Sequence, residues 1–217
     1  MILIPVKNLS SAKQRLASVL NQSARTQLAQ AMLHDVLAAL KNAAIGDQIS
    51  LVTSDPFALE LARKLHLRVI PDQQNRSETD AIEMATRTCI AEAIQETLVI
   101  PADIPLIHST EIEQIFSKAP KRGSVLVPAA DERGTNAILR RPADLFPLQF
   151  GNHSFSPHRA AAEASGLPCR ILSLPGIALD IDNPSDLQQL ISSVGDTHSQ
   201  QLARRFLPDG VPVAVNE

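Results

Sequence analysis

Tryptophan and tyrosine are absent from this chain of 217 residues, and phenylalanine appears only six times. A hydrophobic content of 44% is ample for a core, but that core has to be aliphatic. Cysteine is scarce. Cys89 and Cys169 stand far apart, without metal-ligand spacing, and read as buried reduced thiols of a cytoplasmic protein. Positive charge is not in excess, and the net charge of −3 argues against a nucleic-acid or membrane surface as partner. The opening apolar run, residues 1–6, is too short for a signal peptide or a membrane span. Neither Gly-x-x-x-x-Gly-Lys-Ser nor Gly-x-Gly-x-x-Gly occurs, so a standard P-loop or dinucleotide-binding fold is not expected. No internal repeat is visible.

What is present is an alternation of short apolar runs with segments of helical period. Strands are expected at residues 2–6, 49–53, 67–70, 98–100, 125–127, 135–140, 170–174 and 178–181. Helices are expected at 22–43, 56–65, 78–95, 109–116, 157–165 and 184–192. The first of these carries Leu28, Met32, Val36, Leu37 and Leu40 on one face and stops at Gly46. Strands alternating with helices predict an α/β fold, a mostly parallel central sheet flanked by helices. Residues 1–193 are expected to form one domain. Residues 194–217, polar and broken by Pro208, Gly210 and Pro212, are expected as a surface tail.

Asp180 and Asp182, in Ala-Leu-Asp-Ile-Asp-Asn-Pro, stand one residue apart at the end of an apolar run. Strand alternation puts both on one face, with Ile181 on the other. A third carboxylate, Asp103, ends another apolar run in Pro-Ala-Asp-Ile-Pro-Leu. Neighbouring carboxylates repel unless a cation sits between them, and hard oxygen ligands of this kind suit Mg²⁺ together with substrate phosphates. The competing reading is that Asp-Asn-Pro caps a helix beginning near Pro184. That explains Asp182 or Asn183, but not Asp180.

The segment after the first strand carries Lys7, Lys13 and Arg15. In an open α/β sheet ligands lie outside the carboxyl ends of the strands, so this loop faces the crevice. Its cations read either as a clamp on a polyphosphate or as a solvated basic loop.

Ile-Pro-Val-Lys followed by Ala-Lys-x-Arg-Leu resembles the opening of the 2-phospho-L-lactate guanylyltransferase family, which serves the synthesis of the deazaflavin coenzyme F-420. Further motifs follow in the same order: Pro101-Ala102-Asp103-Ile104-Pro105-Leu106, Gly134-Thr135-Asn136-Ala137, Phe150-Gly151-Asn152-His153-Ser154-Phe155, and Leu179-Asp180-Ile181-Asp182-Asn183-Pro184. The resemblance spans about residues 1–192. It implies a GT-A-like nucleotidyltransferase fold joining GTP to 2-phospho-L-lactate, phosphoenolpyruvate or 3-phospho-D-glycerate, with release of pyrophosphate. By match of motif, Asp103, Asp180 and Asp182 would hold two Mg²⁺. Thr135, Gly151 and Ser154 would hold the acid. Lys7, with Lys13 or Arg15, would face the triphosphate. Oligomeric state stays open, a homodimer included.

Glycine and hydroxyl donors suit a phosphorylated acid, while a loop glycine and a strand threonine are the ordinary alternatives. His153 and His158 are not expected as acid or base groups, because an ionised phosphate needs no proton removed. Asn136 is expected to orient its loop. One departure stands out. Members often carry Gly-Leu-Asn-Ala where this chain has Ser77-Glu78-Thr79-Asp80-Ala81. Glu78 or Asp80 is therefore expected to accept from the guanine edge, or else to mark a changed nucleotide preference. The adjacent Gln- and Asn-rich loop, residues 71–76, is expected to move. Two rivals remain. One is a nucleotidyltransferase of the same fold acting on a sugar phosphate or molybdopterin, disfavoured by the lack of glycine from Asn8 to Ala12. The other is a non-catalytic nucleotide-binding protein, disfavoured by the three aspartates.

Overall fold

Alternation along the first strand, β1 (Ile2–Val6), sends Leu3 to one face of the sheet and Ile2, Ile4 and Val6 to the other, and each face meets its own apolar layer. The computed structural model describes residues 1–44, 48–73, 76–151 and 153–212. Within them β1 is joined by β2 (Ile49–Thr53), β3 (Arg68–Pro71), β4 (Thr97–Val99), β5 (Gly123–Pro128), β6 (Thr135–Arg141) and β7 (Cys169–Ile171). They make one sheet in the order β3-β2-β1-β4-β6-β5-β7. Only β6 runs against its neighbours, antiparallel to β4 and β5; the other pairings are parallel. The mostly parallel sheet read from the sequence is therefore present.

Helices α1 (Gln22–Asn42), α2 (Pro56–Leu65), α4 (Ser109–Lys118), α7 (Pro184–Ser192) and α8 (His198–Phe206) pack on one face. Helices α3 (Glu78–Ala91) and α5 (Phe155–Ala164) cover the other. The apolar spacing of α1 buries Leu28, Met32, Val36, Leu37 and Leu40 completely. Each such side chain contributes roughly 1.5–3 kcal/mol over the exposed state. Expected and observed bounds agree closely for most elements. The expected stop of α1 at Gly46, and Asn152 in the Phe-Gly-Asn motif, lie outside the described residues, as do residues 74–75 and 213–217.

Three expectations are corrected. The helix expected over 78–95 ends at Ala91, and Ala93 turns the chain with φ 61°. Residues 178–181 are not a strand. Pro175 instead opens a short helix, α6 (Pro175–Ala178), after which Leu179 is extended and 179–182 belongs to no regular element. Gly176 is required there, since a Cβ would stand 2.3 Å from both Glu111 Oε2 and the Leu106 carbonyl. The segment expected as a surface tail contains α8, which packs on α1 and buries Ser199, Gln200 and Ala203. A capping box between Thr197 and Gln200 starts it, and Asp35 of α1 accepts from His198 N–H and Ser199 N–H at 2.9 and 2.8 Å.

The topology delivers the candidate residues to one edge. The carboxyl ends of β1 and β4 lie side by side. Because β6 is antiparallel to β4, its first residue, Thr135, lies at that same edge.

Candidate active site

The loop leaving β1 is pinned before it reaches the crevice. Thr53 Oγ1 donates to the Val6 carbonyl at 2.7 Å. Asp55 accepts from Ala58 N–H at the start of α2 and from Leu9 N–H, both at 3.0 Å. Two short 3-10 turns follow, Leu9–Ser11 and Gln14–Leu16, and Lys13 between them is left-handed, φ 56°. Lys13 is nearly buried, its side chain 8% exposed, and its Nζ donates to Asp103 Oδ2 at 2.6 Å and Asp182 Oδ1 at 2.9 Å. Arg15 adds a looser contact, 3.6 Å to Asp182 Oδ2.

The two acidic segments are joined through backbone, Ile181 N–H donating to the Asp103 carbonyl at 3.1 Å. The alternation expected for this stretch survives the loss of the strand. Leu179 and Ile181 are buried, while Asp180 and Asp182 are half-buried. Asn136 orients the segment as anticipated, its Nδ2 lying 3.0 Å from the carbonyls of Ile177 and Ala178 and from Asp180 Oδ1. The capping duty falls on Asn183, whose side chain accepts from Ser185 N–H and Asp186 N–H. Asp186 completes it by accepting from Asp182 N–H and Asn183 N–H, each at 2.9 Å. The carboxylates of Asp180 and Asp182 therefore owe nothing to capping.

Charge at this junction is finely divided. Burial lowers the Lys13 pKa, but Asp103 and Asp182 outweigh it and hold the ammonium above the ordinary lysine value. Burial pushes Asp182 up, but Lys13 and then Arg15 bring it below the usual carboxylate range. Asp180 is raised, by burial first, partly relieved by its Asn136 hydrogen bond and reinforced by Asp103 and Asp182. Glu78 is pushed up to about 7 by burial and by Asp103, against the pull of Lys7 and Lys13.

Two cavities meet here. The first, about 660 Å³, is walled by the loop after β1, with Ser77, Glu78, Pro101, Asp103 and Asp182 opposite. The second, about 680 Å³, is walled by Arg133, Thr135, Phe150, Gly151, Ser154 and Asp180 among others. Arg15, Glu78, Pro101, Asp103 and Asp182 line both. Lys7, Lys13 and Arg15 all line the first cavity, although Lys7 Nζ is already held by Asp72 Oδ2 at 2.6 Å. Thr135, Gly151 and Ser154 come together in the second. Gly151 has φ 132°, and a Cβ would meet nothing within 4 Å, so its backbone conformation, not tight packing, calls for glycine.

Asp103, Asp180 and Asp182 converge on that second cavity. Among the described residues, no three His, Cys, Asp or Glu side chains form a ready metal cage. Glu78 and Asp80 separate. Glu78 stands at the junction, whereas Asp80 is exposed in the first turn of α3 and lines neither cavity. The expectation that Asp80 reads a base has no geometric support. His158 is not expected from the sequence as an acid or base group. It is buried, yet its Nδ1 lies 3.0 Å from Thr135 Oγ1 and its Nε2 accepts from Gln149 N–H at 2.8 Å. Its spacing of four from Ser154, one helical turn, was the available signal.

The family model "Guanylyl transferase CofC like" matches residues 1–212. The phosphoenolpyruvate guanylyltransferase of Sphaerobacter thermophilus is 36% identical over 188 residues, 86% of this chain and 90% of that protein. The 2-phospho-L-lactate guanylyltransferase of Methanothermobacter thermautotrophicus is 31% identical, covering 94% of this chain and 89% of that protein. Among solved structures, a putative nucleotide-diphospho-sugar transferase from Desulfovibrio desulfuricans superposes with a TM-score of 0.76 at 20% identity, covering 94% of this chain and 93% of that one, and shares the fold. A match that also takes in α8, with relatives above 30% identity over most of their length, means that the chain belongs to the guanylyl transferase CofC-like family.

Proposed function

We propose that this protein is a guanylyltransferase that joins GTP to a three-carbon phospho-acid and releases pyrophosphate, in the synthesis of coenzyme F-420. The observation that carries the reading is the meeting of two cavities of similar size at Asp103, Asp182 and Arg15. The first offers cations to a triphosphate; the second offers the Thr135 hydroxyl and a glycine backbone to a small anion. The relatives' names supply phosphoenolpyruvate and 2-phospho-L-lactate as candidate acids, and the motif resemblance adds 3-phospho-D-glycerate.

An oxygen of the acid's phosphate, already ionised, attacks the α-phosphorus of GTP, so no general base is needed. A new P–O bond forms, the bond from the α-phosphorus to the bridging oxygen of the β-phosphate breaks, and pyrophosphate leaves with the electron pair. Lys13 and Arg15 neutralise the triphosphate and the departing pyrophosphate, with Lys7 contributing from its place beside Asp72. Thr135 and Gly151 hold the acid so that its phosphate faces the junction, and Ser154 supports Thr135 by donating its hydroxyl proton to Thr135 Oγ1. The donor chemistry fits Mg²⁺, which takes one or two carboxylates and completes its shell with phosphate oxygens and water rather than an all-protein cage. Asp103, Asp180 and Asp182 would hold it, and when bound it supplies charge neutralisation at the phosphates.

Guanine reading by Glu78 requires the base to reach the junction, and it predicts that Glu78→Gln erodes the preference for GTP over ATP. The deciding experiment offers GTP or ATP with each of the three acids in Mg²⁺ and follows pyrophosphate. The reading predicts acid-dependent release with GTP. Absence of acid-dependent release with all three acids would overturn it.

A further inference from the structure

His158 sits in the first turn of α5, 1% exposed, between the loop that carries Gly151 and the first residue of β6. Its two ring nitrogens have unlike partners. Gln149 N–H can only donate, so Nε2, 2.8 Å away, is the bare nitrogen. In a neutral ring the proton is then on Nδ1, and at 3.0 Å it is given to Thr135 Oγ1. Neutrality is enforced by surroundings: burial, and then the Arg140 guanidinium, push the imidazole down to about 4. The ring plane is held by Phe150, edge-on at a centroid distance of 5.2 Å.

The consequence falls on the Thr135 hydroxyl. It accepts from His158 and also from Ser154 Oγ at 3.3 Å. Both lone pairs are used, and the hydroxyl's own proton is left to point into the second cavity. Hydrogen-bond direction therefore runs one way, from the Gln149 backbone through His158 to Thr135 and out to whatever occupies the cavity.

Resting on the reading of this cavity as the acid site, we propose that His158 is its positioning residue. It fixes Thr135 as an outward donor, so that the site takes an ionised phosphate or carboxylate oxygen at this point and rejects a group that must itself donate. His158 touches neither substrate nor reacting atoms in this scheme; it acts through Thr135.

The proposal predicts non-additivity. With GTP saturating, the acid varied is whichever of phosphoenolpyruvate, 2-phospho-L-lactate and 3-phospho-D-glycerate the wild type uses best. Thr135→Val and His158→Phe should each raise the acid KM about tenfold or more, as for loss of a hydrogen bond to a charged group. Neither should change the GTP KM, and the double variant should be no worse than the worse single one. His158→Gln should recover most of the loss, because a carboxamide presents an N–H and a bare oxygen with the spacing of the two ring nitrogens. Should His158→Phe fail to fold, His158→Leu, which likewise lacks both the donor and the acceptor, takes its place with the same expected rise in acid KM. An unchanged acid KM in Thr135→Val would overturn the acid-site reading itself. A raised KM in Thr135→Val, with multiplying effects in the double variant or no rescue by Gln, would overturn the His158 relay alone.

Discussion

Lys13 occupies the place where a cation is most needed, between Asp103 and Asp182. Its removal therefore tests charge before it tests chemistry. Lys13→Met should lower stability by about 1–2 kcal/mol, less than a fully buried pair would cost because both aspartates are partly exposed. Adding Mg²⁺ should raise the melting temperature of this variant more than that of the wild type, read by thermal unfolding with and without the ion. An equal response would separate the carboxylates from the metal. Asp182→Asn should reduce turnover by about 10²–10³-fold while leaving the unfolding curve close to wild type, which initial rates of pyrophosphate release would measure. At this scale the sequence was most legible where residue type alone constrains chemistry. Paired carboxylates at alternate positions, and cations just after β1, were readable from spacing. Glu78 and Asp80 looked equivalent in the sequence, but the first turn of α3 points one toward the junction and leaves the other in solvent.

Elements carried the site into place by routes that local pattern only partly reveals. The run 178–181 reads as a strand because it is apolar and alternating. What decides otherwise is Pro175, which opens α6, and the hold of Glu111 Oε1 on Gly176 N–H at 2.8 Å. Gly176→Ala should cost about 1–3 kcal/mol and depress activity by displacing Asp180 and Asp182, which urea unfolding and initial rates would register together. Helix α8 escaped notice because its surface is strongly polar. The capping box at Thr197 and the burial of only small or polar residues, Ser199, Gln200 and Ala203, are weak signals without the facing α1. Asp35→Ala removes the acceptor for two N–H groups of α8 and should destabilise by about 1 kcal/mol, measurable as a lowered urea midpoint with an unaltered acid KM. Strands β1 and β2 and helices α1 and α2 were legible to within a residue or so, since their burial follows directly from period.

For the whole molecule, buried His158 makes stability depend on pH. Its folded value of about 4 lies below the ordinary 6.5, so the unfolded chain binds the extra proton first. Its contribution is intact above pH 6.5, is lost as pH falls from about 6.5 toward 4, and changes no further below that. The loss should amount to about 3 kcal/mol, and His158→Gln should flatten the stability profile across this window, as urea unfolding at several pH values would reveal. Unchanged pH dependence in that variant would mean that the wild-type ring charges in place. The architecture itself, with one antiparallel strand bringing Thr135 to the edge where β1 and β4 end, explains why two cavities share one wall of charge. The most direct test of that arrangement follows the phosphorus atoms. With Mg²⁺ and the acid that the wild type uses best, GTP labelled at the α-phosphorus should pass its label into the acid-guanosine product. GTP labelled at the γ-phosphorus should yield label only in pyrophosphate. Label from the γ-position appearing in the acid, or as free phosphate in step with turnover, would contradict attack at the α-phosphorus across the junction.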